Sequence, residues 1–371
     1  MRALLHFGGL GDPEGPLTSR LGELARAPHN LRFFEAAYAG VETALDIVGR
    51  EECARFLPGG LPLRDWLAAP GGRAAPTPAR GSVVEGVLLH LYQLCVLQPG
   101  PGSALARELR SGEVRPVGAV GHSLGSYAAL FSALPVAGRR EYAAAAGRSI
   151  AQVTVALLRC HQVMPAVAEP DKELLRRHAA LGPGGGAPGA MAAVLGPRRP
   201  VLEEAIRRSG GGPGGRVEVG LVNSPTFHVL TGGAEPLMRF RLAERELFER
   251  PGSRWNYLDA TAPFHSEVLK PAMPLIGGDV ERNWLLVDGG ELTMPVYGTG
   301  TPANLQSNPH VLHEVAEQQM CRSFDWPVVI DAAVADLAPD LVLDIGPGVA
   351  AAVLTRSRLR EIGSAARFTS V

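Results

Sequence analysis

The stretch Val117-Gly118-Ala119-Val120-Gly121-His122-Ser123-Leu124-Gly125 decides how this chain of 371 residues is read. A short apolar run ends in glycine, a serine follows inside a G-x-S-x-G pattern, and a long Ala/Leu-rich helical stretch comes next. That order is strand, sharp turn, helix. A serine at such an elbow adopts a strained backbone, so its flanking residues must be small, and its hydroxyl is presented at the edge of the sheet. The following helix aims its free N–H groups and the positive end of its dipole at the same place, where a negative oxygen would be stabilised. Ser123 is therefore a candidate nucleophile.

Working outward, residues 3–7 form a second short buried strand that ends in Gly8-Gly9-Leu10-Gly11. Apolar residues recur at helical spacing over 17–52 and again over 83–97, with a Pro/Gly/Ala-rich loop at 69–81 between them. A long helix over about 140–167 leads to a Gly-rich loop at 182–186, and there the pattern changes. Residues 190–195 read as a strand, 200–209 as a helix, 217–223 and 226–231 as strands, 235–249 as a helix and 255–259 as a strand. Strand-helix-strand-strand-helix-strand is the ferredoxin-like order. The expected architecture is α/β: an α/β-hydrolase-like large domain with a parallel central sheet, built from residues 1–187 and 262–371, with a ferredoxin-like subdomain inserted at 188–261. A buried strand at 341–345, ended by Gly346-Pro347-Gly348, completes the large domain.

Composition narrows the function classes. With 36 Lys+Arg against 37 Asp+Glu and no basic run, the chain lacks the electrostatic footprint of a nucleic-acid binder. The uncharged segment 116–138 is interrupted by glycines, serines and Pro135, which argues against a membrane span, and the amino terminus is too short in its apolar part for a secretory signal. A cytoplasmic protein with no membrane or nucleic-acid partner is expected. Cys53, Cys95, Cys160 and Cys321 are scattered without a CxxC pair, so they read as buried thiols, not as a disulfide framework or zinc site. His310 and His313 share a helical face but have no third ligand at metal-binding spacing, so no metal is expected.

A serine hydroxyl is a weak nucleophile at neutral pH and needs a base. Of ten histidines, His265 in Ala262-Pro263-Phe264-His265-Ser266 stands out, because it follows the last strand of the inserted module on a Pro-fixed loop at the mouth between domains.

With Ser123 and His265 in place, the chain resembles the acyl-CoA:carrier-protein acyltransferases of fatty acid and polyketide synthesis, and looks closest to the malonyl/palmitoyl transferase domains of fungal-type fatty acid synthases and the related starter-unit transacylases. The matching segments, in the family's order, are Phe7-Gly8-Gly9-Leu10-Gly11, the Gly-His-Ser-Leu-Gly elbow, Leu158-Arg159-Cys160, Leu221-Val222-Asn223-Ser224-Pro225, Ala262-Pro263-Phe264-His265-Ser266, Met294-Pro295-Val296-Tyr297 and Asp344-Ile345-Gly346-Pro347-Gly348. The resemblance implies a ping-pong reaction in which Ser123, activated by His265, takes the acyl group from an acyl-CoA substrate and passes it to the phosphopantetheine thiol of an acyl carrier protein, with no bound cofactor. It implies an oxyanion hole from the backbone N–H groups of Leu124 and Leu10, the latter standing where the family usually has glutamine. It also implies that a backbone carbonyl near residues 297–299 orients His265, and that His122 and Phe264 help bind substrate. The chain could act alone or as part of a larger synthase.

Substrate choice turns on an arginine, since a malonyl carboxylate can be held by a buried guanidinium through two parallel hydrogen bonds. Arg159 matches the fungal-type Leu-Arg-Cys pattern, and Arg148 lies at the spacing from serine found in shorter bacterial enzymes; Arg159 and malonyl are favoured. A neutral starter such as acetyl or a longer acyl group is the alternative if both arginines point to solvent. An esterase of the α/β-hydrolase type is the rival enzyme, but its base usually lies near the chain's end, and the last 50 residues here contain no histidine. An editing hydrolase that discharges the acyl-serine to water shares every motif.

Overall fold

The computed structural model describes residues 1–10, 17–68, 82–99, 105, 109, 112–136, 138–164, 171–181, 187–210, 217–283, 287–300 and 302–371. The expected loops at 69–81 and 182–186, Gly11, and the tail of the 140–167 helix beyond Met164 lie outside the described residues. Ten strands are present among them: β1 (Arg2–Phe7), β2 (Arg115–Gly121), β3 (Met191–Leu195), β4 (Val217–Ser224), β5 (Phe227–Gly232), β6 (Arg254–Tyr257), β7 (Val296–Tyr297), β8 (Phe324–Asp325), β9 (Leu341–Asp344) and β10 (Arg367–Ser370).

Five of these form a parallel sheet in the order β10-β9-β1-β2-β7. Leu5 of β1 stands opposite Ala119 of β2 on one side and Leu343 of β9 on the other. A strand buried on both faces has no polar side to alternate with, which is why Ala3, Leu4, Leu5 and Phe7 run almost unbroken and all are buried. The short Gly125–Ser132 helix packs on β1 and β2, and the Trp326–Leu337 helix packs on β2 and β7. The long Gly138–Val163 helix lies against the Leu31–Val48 and Ser82–Leu97 helices, placing the Ala-rich run Ala143 to Ala146 in a helical layer.

The second sheet has the order β6-β3-β5-β4-β8. Its first four strands are antiparallel neighbours and carry the Arg199–Arg208 and Ala234–Ala243 helices, giving the ferredoxin-like βαββαβ arrangement. The segment expected as one helix over 235–249 is two, broken at Glu244, whose φ of −104° and ψ of 29° leave the helical region.

Two features differ from the expected domain boundaries. The Lys172–Ala179 helix packs on the Ala234–Ala243 helix, and Leu174 belongs to the second apolar core, so the small body takes in chain that precedes residue 188. The fifth strand of its sheet, β8, comes from the returning segment after 262 and pairs in parallel with β4 through Leu221 opposite Phe324 and Val222 opposite Asp325. Strands β7 and β8 are two residues long, too short for any alternation to reveal them. No helix among the described residues is long and apolar enough to cross a membrane. All four cysteines are buried and unbridged.

Candidate active site

The elbow forms as its sequence requires. Ser123 sits at φ +52°, in the left-handed region that costs a non-glycine residue about 1–3 kcal/mol and persists only where its surroundings hold it. A Cβ on Gly121 would lie 2.2 Å from the Gly125 carbonyl carbon, and one on Gly125 would lie 2.4 Å from the Phe7 carbonyl oxygen. Only glycine lets the turn close on itself and on β1. The Gly125 N–H donates to His122 O, Ser126 N–H to Ser123 O and Tyr127 N–H to Leu124 O, while the Leu124 N–H takes no acceptor among the described residues. Gly9 approaches so closely that a Cβ there would lie 2.5 Å from His122 O and 3.0 Å from Ser123 Cβ. The loop carrying Leu10 is thereby brought beside Ser123.

His265 meets the serine from the other side of the chain. The Ser123 hydroxyl donates to His265 Nε2 at 2.9 Å. His265 is itself at φ +59°, and its loop is pinned on both flanks. Thr231 Oγ1 donates to Phe264 O at 2.8 Å, Ser266 Oγ donates to Glu218 Oε1 at 2.9 Å, and the Ser266 N–H donates to Met320 O at 3.1 Å.

The carbonyls that orient His265 are not in the 297–299 segment. His265 Nδ1–H donates to Gln318 O at 3.2 Å and Arg322 O at 3.1 Å, both at the carboxyl end of the Val311–Met320 helix. The expected segment acts one step removed: the N–H groups of Thr299 and Gly300 donate to Gln318 Oε1 at 2.7 and 3.0 Å. This fixes the residue whose carbonyl holds the imidazole. With Nδ1 committed as donor, Nε2 keeps its lone pair for the serine proton.

Burial sets the protonation of the site. His265 is 1% exposed, and loss of water pushes its pKa down to about 4, with the hydrogen bond to Arg322 O opposing and His122 nearby adding to the depression. Burial lowers His122 to about 4 as well, opposed by its bond to Asn223. His90, fully buried, is lowered to about 3 for the same reason. These histidines stay neutral in the fold while the unfolded chain takes up protons below about pH 6.5. Stability should therefore fall as pH drops from 6.5 towards 4, by about 1.4 kcal/mol per pH unit for each such histidine. Urea unfolding at pH 7 and pH 5 measures it, and a pH-independent midpoint would contradict neutral burial.

Sequence reasoning missed Gln319. Its Nε2 donates to Ser123 Oγ at 3.2 Å, so the hydroxyl accepts from Gln319 while donating to His265, which aligns its proton with the base. Two adjacent glutamines at the end of a largely buried helix were the only signal, and polar residues at helix ends are too common to single out. Gln319→Ala is expected to lower kcat by about 3- to 10-fold with little change in KM, the worth of one neutral hydrogen bond. Steady-state kinetics would read it, and an unchanged kcat would show that the bond does not orient the serine.

The remaining candidates are placed as follows. His122 Nε2–H donates to Asn223 Oδ1 at 2.9 Å, and its ring lies edge-on to Phe324 and Trp326 at 5.0 Å. It thus ties the elbow to β4. Phe264 is buried in the main apolar core. Arg159 is not free to clamp a carboxylate. Arg159 Nε donates to Asp279 Oδ2 at 2.9 Å, its Nη1 to Gln162 Oε1 at 2.7 Å and its Nη2 to Ile47 O at 3.4 Å, so the guanidinium is neutralised and occupied inside the protein. Arg148 is exposed.

No protein-family model matches the chain, and no curated protein sequence matches it. Solved structures do. A malonyl-transacylase in complex with its type II polyketide-synthase acyl-carrier protein superposes with a TM-score of 0.64 at 18% identity, over 100% of this chain and 96% of that one. The fold is that of the malonyl-CoA:acyl-carrier-protein transacylases. The acyl-carrier-protein S-malonyltransferase from Burkholderia pseudomallei gives 0.61 at 19% identity, over 100% and 96% of the two chains. The acyltransferase domain from the second module of the salinomycin polyketide synthase gives 0.60 at 18%, over 100% of this chain and 68% of that one. This transacylase fold joins an α/β-hydrolase-like body to a ferredoxin-like one, the two sheets described above.

Proposed function

We propose that this chain is an acyltransferase that carries an acyl group from coenzyme A to the phosphopantetheine thiol of an acyl carrier protein through an acyl-serine. The observation that carries this reading is the 2.9 Å hydrogen bond from a strained elbow serine to a neutral, carbonyl-oriented histidine, within a fold shared with malonyl-transacylases. His265 Nε2 takes the Ser123 proton as Oγ attacks the thioester carbonyl. The oxyanion is met by the N–H groups of Leu124 and Leu10. On collapse the carbon–sulfur bond breaks, and His265 returns the proton to the departing CoA thiolate. In the second half the carrier thiol gives its proton to His265 and attacks the acyl-serine, and His265 returns that proton to Ser123 Oγ as the ester carbon–oxygen bond breaks. A thiolate is a good leaving group and an entering thiol gives up its proton easily, so no acidic third member is needed to hold the imidazolium beyond the two carbonyls at Nδ1.

Intact-protein mass spectrometry tests the reading. Brief exposure to acyl-CoA should add one acyl group to the wild type and none to Ser123→Ala, and added holo carrier protein should remove it. Loss of the adduct to water alone, with no transfer, would favour a hydrolase.

The base also sets a pH profile. Because His265 is neutral down to about pH 4, the acylation kcat/KM should hold nearly level from pH 7 to 5 and fall below that. A histidine at its ordinary value would already have lost roughly thirtyfold at pH 5. Stopped-flow acylation across this range distinguishes the two.

A further inference from the structure

Resting on the acyl-serine reading, we propose that Glu314 is a positioning residue for His265: a single carboxylate oxygen holds both of the residues whose carbonyls fix the imidazole. Glu314, Gln318 and Arg322 recur every fourth residue, the spacing that brings side chains together along one side of a helix. Gln318 Nε2 donates to Glu314 Oε1 at 2.6 Å, and Arg322 Nη1 donates to the same oxygen at 2.8 Å. The main chains of those two residues supply Gln318 O and Arg322 O, the acceptors of His265 Nδ1–H. Glu314 acts on the imidazole through them.

The end of the Val311–Met320 helix explains why a clamp is needed there. In an uninterrupted helix the Arg322 N–H would bond to Gln318 O, four residues back. Here it bonds to Glu317 O at 3.2 Å, which also accepts from the Cys321 N–H at 2.8 Å, so Gln318 O is left to the imidazole. A carbonyl released at a helix end loses the frame that the helical ladder gave it. The Gln318 side chain restores one: it is fully buried, its Oε1 is fixed by the Thr299 and Gly300 N–H groups, and a Cβ on Gly300 would lie 2.7 Å from its Cγ. Glu314 fixes the other end of that amide. Arg322, already past the helix, is held by Glu314 and by Glu317, whose Oε2 accepts from Nη2 at 2.8 Å. Glu314 is the more enclosed of the two acids, 16% exposed against 27%, so water screens its hold on Arg322 less.

If both carbonyls shift, Nδ1–H loses its acceptors and the other tautomer competes, with a proton on Nε2 where the Ser123 proton has to go. Glu314→Ala is therefore expected to lower the saturating acylation rate by about 10-fold, with the half-saturating substrate concentration within about twofold. Glu314→Gln keeps an acceptor oxygen at the same reach and should recover the rate to within about threefold of wild type. Glu317→Ala frees Arg322 on one side and leaves Gln318 held, so it should cost less than about threefold.

The test is Ser123 acylation by acetyl-, butyryl-, hexanoyl- and malonyl-CoA, read by intact mass at short times over a concentration series with whichever loads the wild type fastest. Nitrogen NMR of isotope-labelled histidines accompanies it, with the His265 signals identified by their absence from His265→Ala. The expected spectrum shows the Nδ1–H tautomer in the wild type and in Glu314→Gln, and a mixture in Glu314→Ala. A wild-type rate in Glu314→Ala, or an unchanged His265 spectrum, overturns the proposal. So does a loss that Glu314→Gln shares in full, or one that Glu317→Ala equals, since neither fits a shared hydrogen-bonded oxygen. No Ser123 adduct from any of the four thioesters overturns the transferase reading alone, because the nitrogen spectrum needs no substrate and still decides whether Glu314 holds His265.

Discussion

Replacing His265 by alanine is expected to lower kcat/KM for acyl transfer by about 10⁴-fold, the upper end of what a positioned general base supplies. Among the described residues no other group bonded to Ser123 is a base. His122, the nearest imidazole in sequence to the nucleophile, spends its Nε2 on Asn223, and Gln319 offers Ser123 a donor, not a base. Ser123→Ala should be as inactive, and the double variant should lose no more than either alone, because the two residues act as one unit. Acyl-transfer kinetics with a carrier protein would check it. A loss below tenfold in His265→Ala would remove the histidine from the mechanism.

The second large effect concerns folding. Asp279→Ala is expected to destabilise the protein by about 3–5 kcal/mol, because it strands the Arg159 charge inside the protein. The pair is well enclosed: the side chains are 10% and 3% exposed, and Arg282, the other cation on Asp279, lies on the outside where water solvates it once the carboxylate is gone. Converting both members to apolar residues of similar size, Arg159→Met with Asp279→Leu, should cost far less, since no unpaired charge remains. Denaturant unfolding of the single and double variants measures both. If the single variant shifts by less than about 1 kcal/mol, the pair is not a desolvated ion pair and Arg159 becomes available as a ligand after all.

That same pair shows where the sequence stopped being informative. Leu158-Arg159-Cys160 marks a buried arginine, and Arg159 is buried, but its partner stands 120 residues away in the Met273–Asn283 helix. Nothing local distinguishes an arginine waiting for a substrate carboxylate from one already holding Asp279. By contrast, the elbow, β1, the long helices and the βαββαβ module were legible because each depends on residues close in sequence: small residues at a tight turn, unbroken apolar runs in doubly covered strands, periodicity in helices. The meeting of Ser123 with His265 could be inferred from the inserted module lying between them. The orientation of His265 could not, because it depends on which end of the Val311–Met320 helix packs behind the imidazole, a long-range outcome that placed Gln318 and Arg322 there in place of the 297–299 segment. Strand β10 was missed for a simpler reason: at an exposed edge, Arg367–Ser370 has no apolar pattern to show.

The parallel pairing of β8 with β4 bears on how this chain could be recombined with others of its fold. A cassette cut at the ends of the βαββαβ module would leave behind the strand that covers β4, and with it Phe324, which stands edge-on to both His122 and His265 at 5.0 Å. The excised piece would present an open sheet edge, and the recipient would carry an orphan strand beside His265. Grafts between chains of this fold should therefore travel with two segments, the module and the turn around residues 318–326, or the exchanged body will fold without bringing His265 back to Ser123.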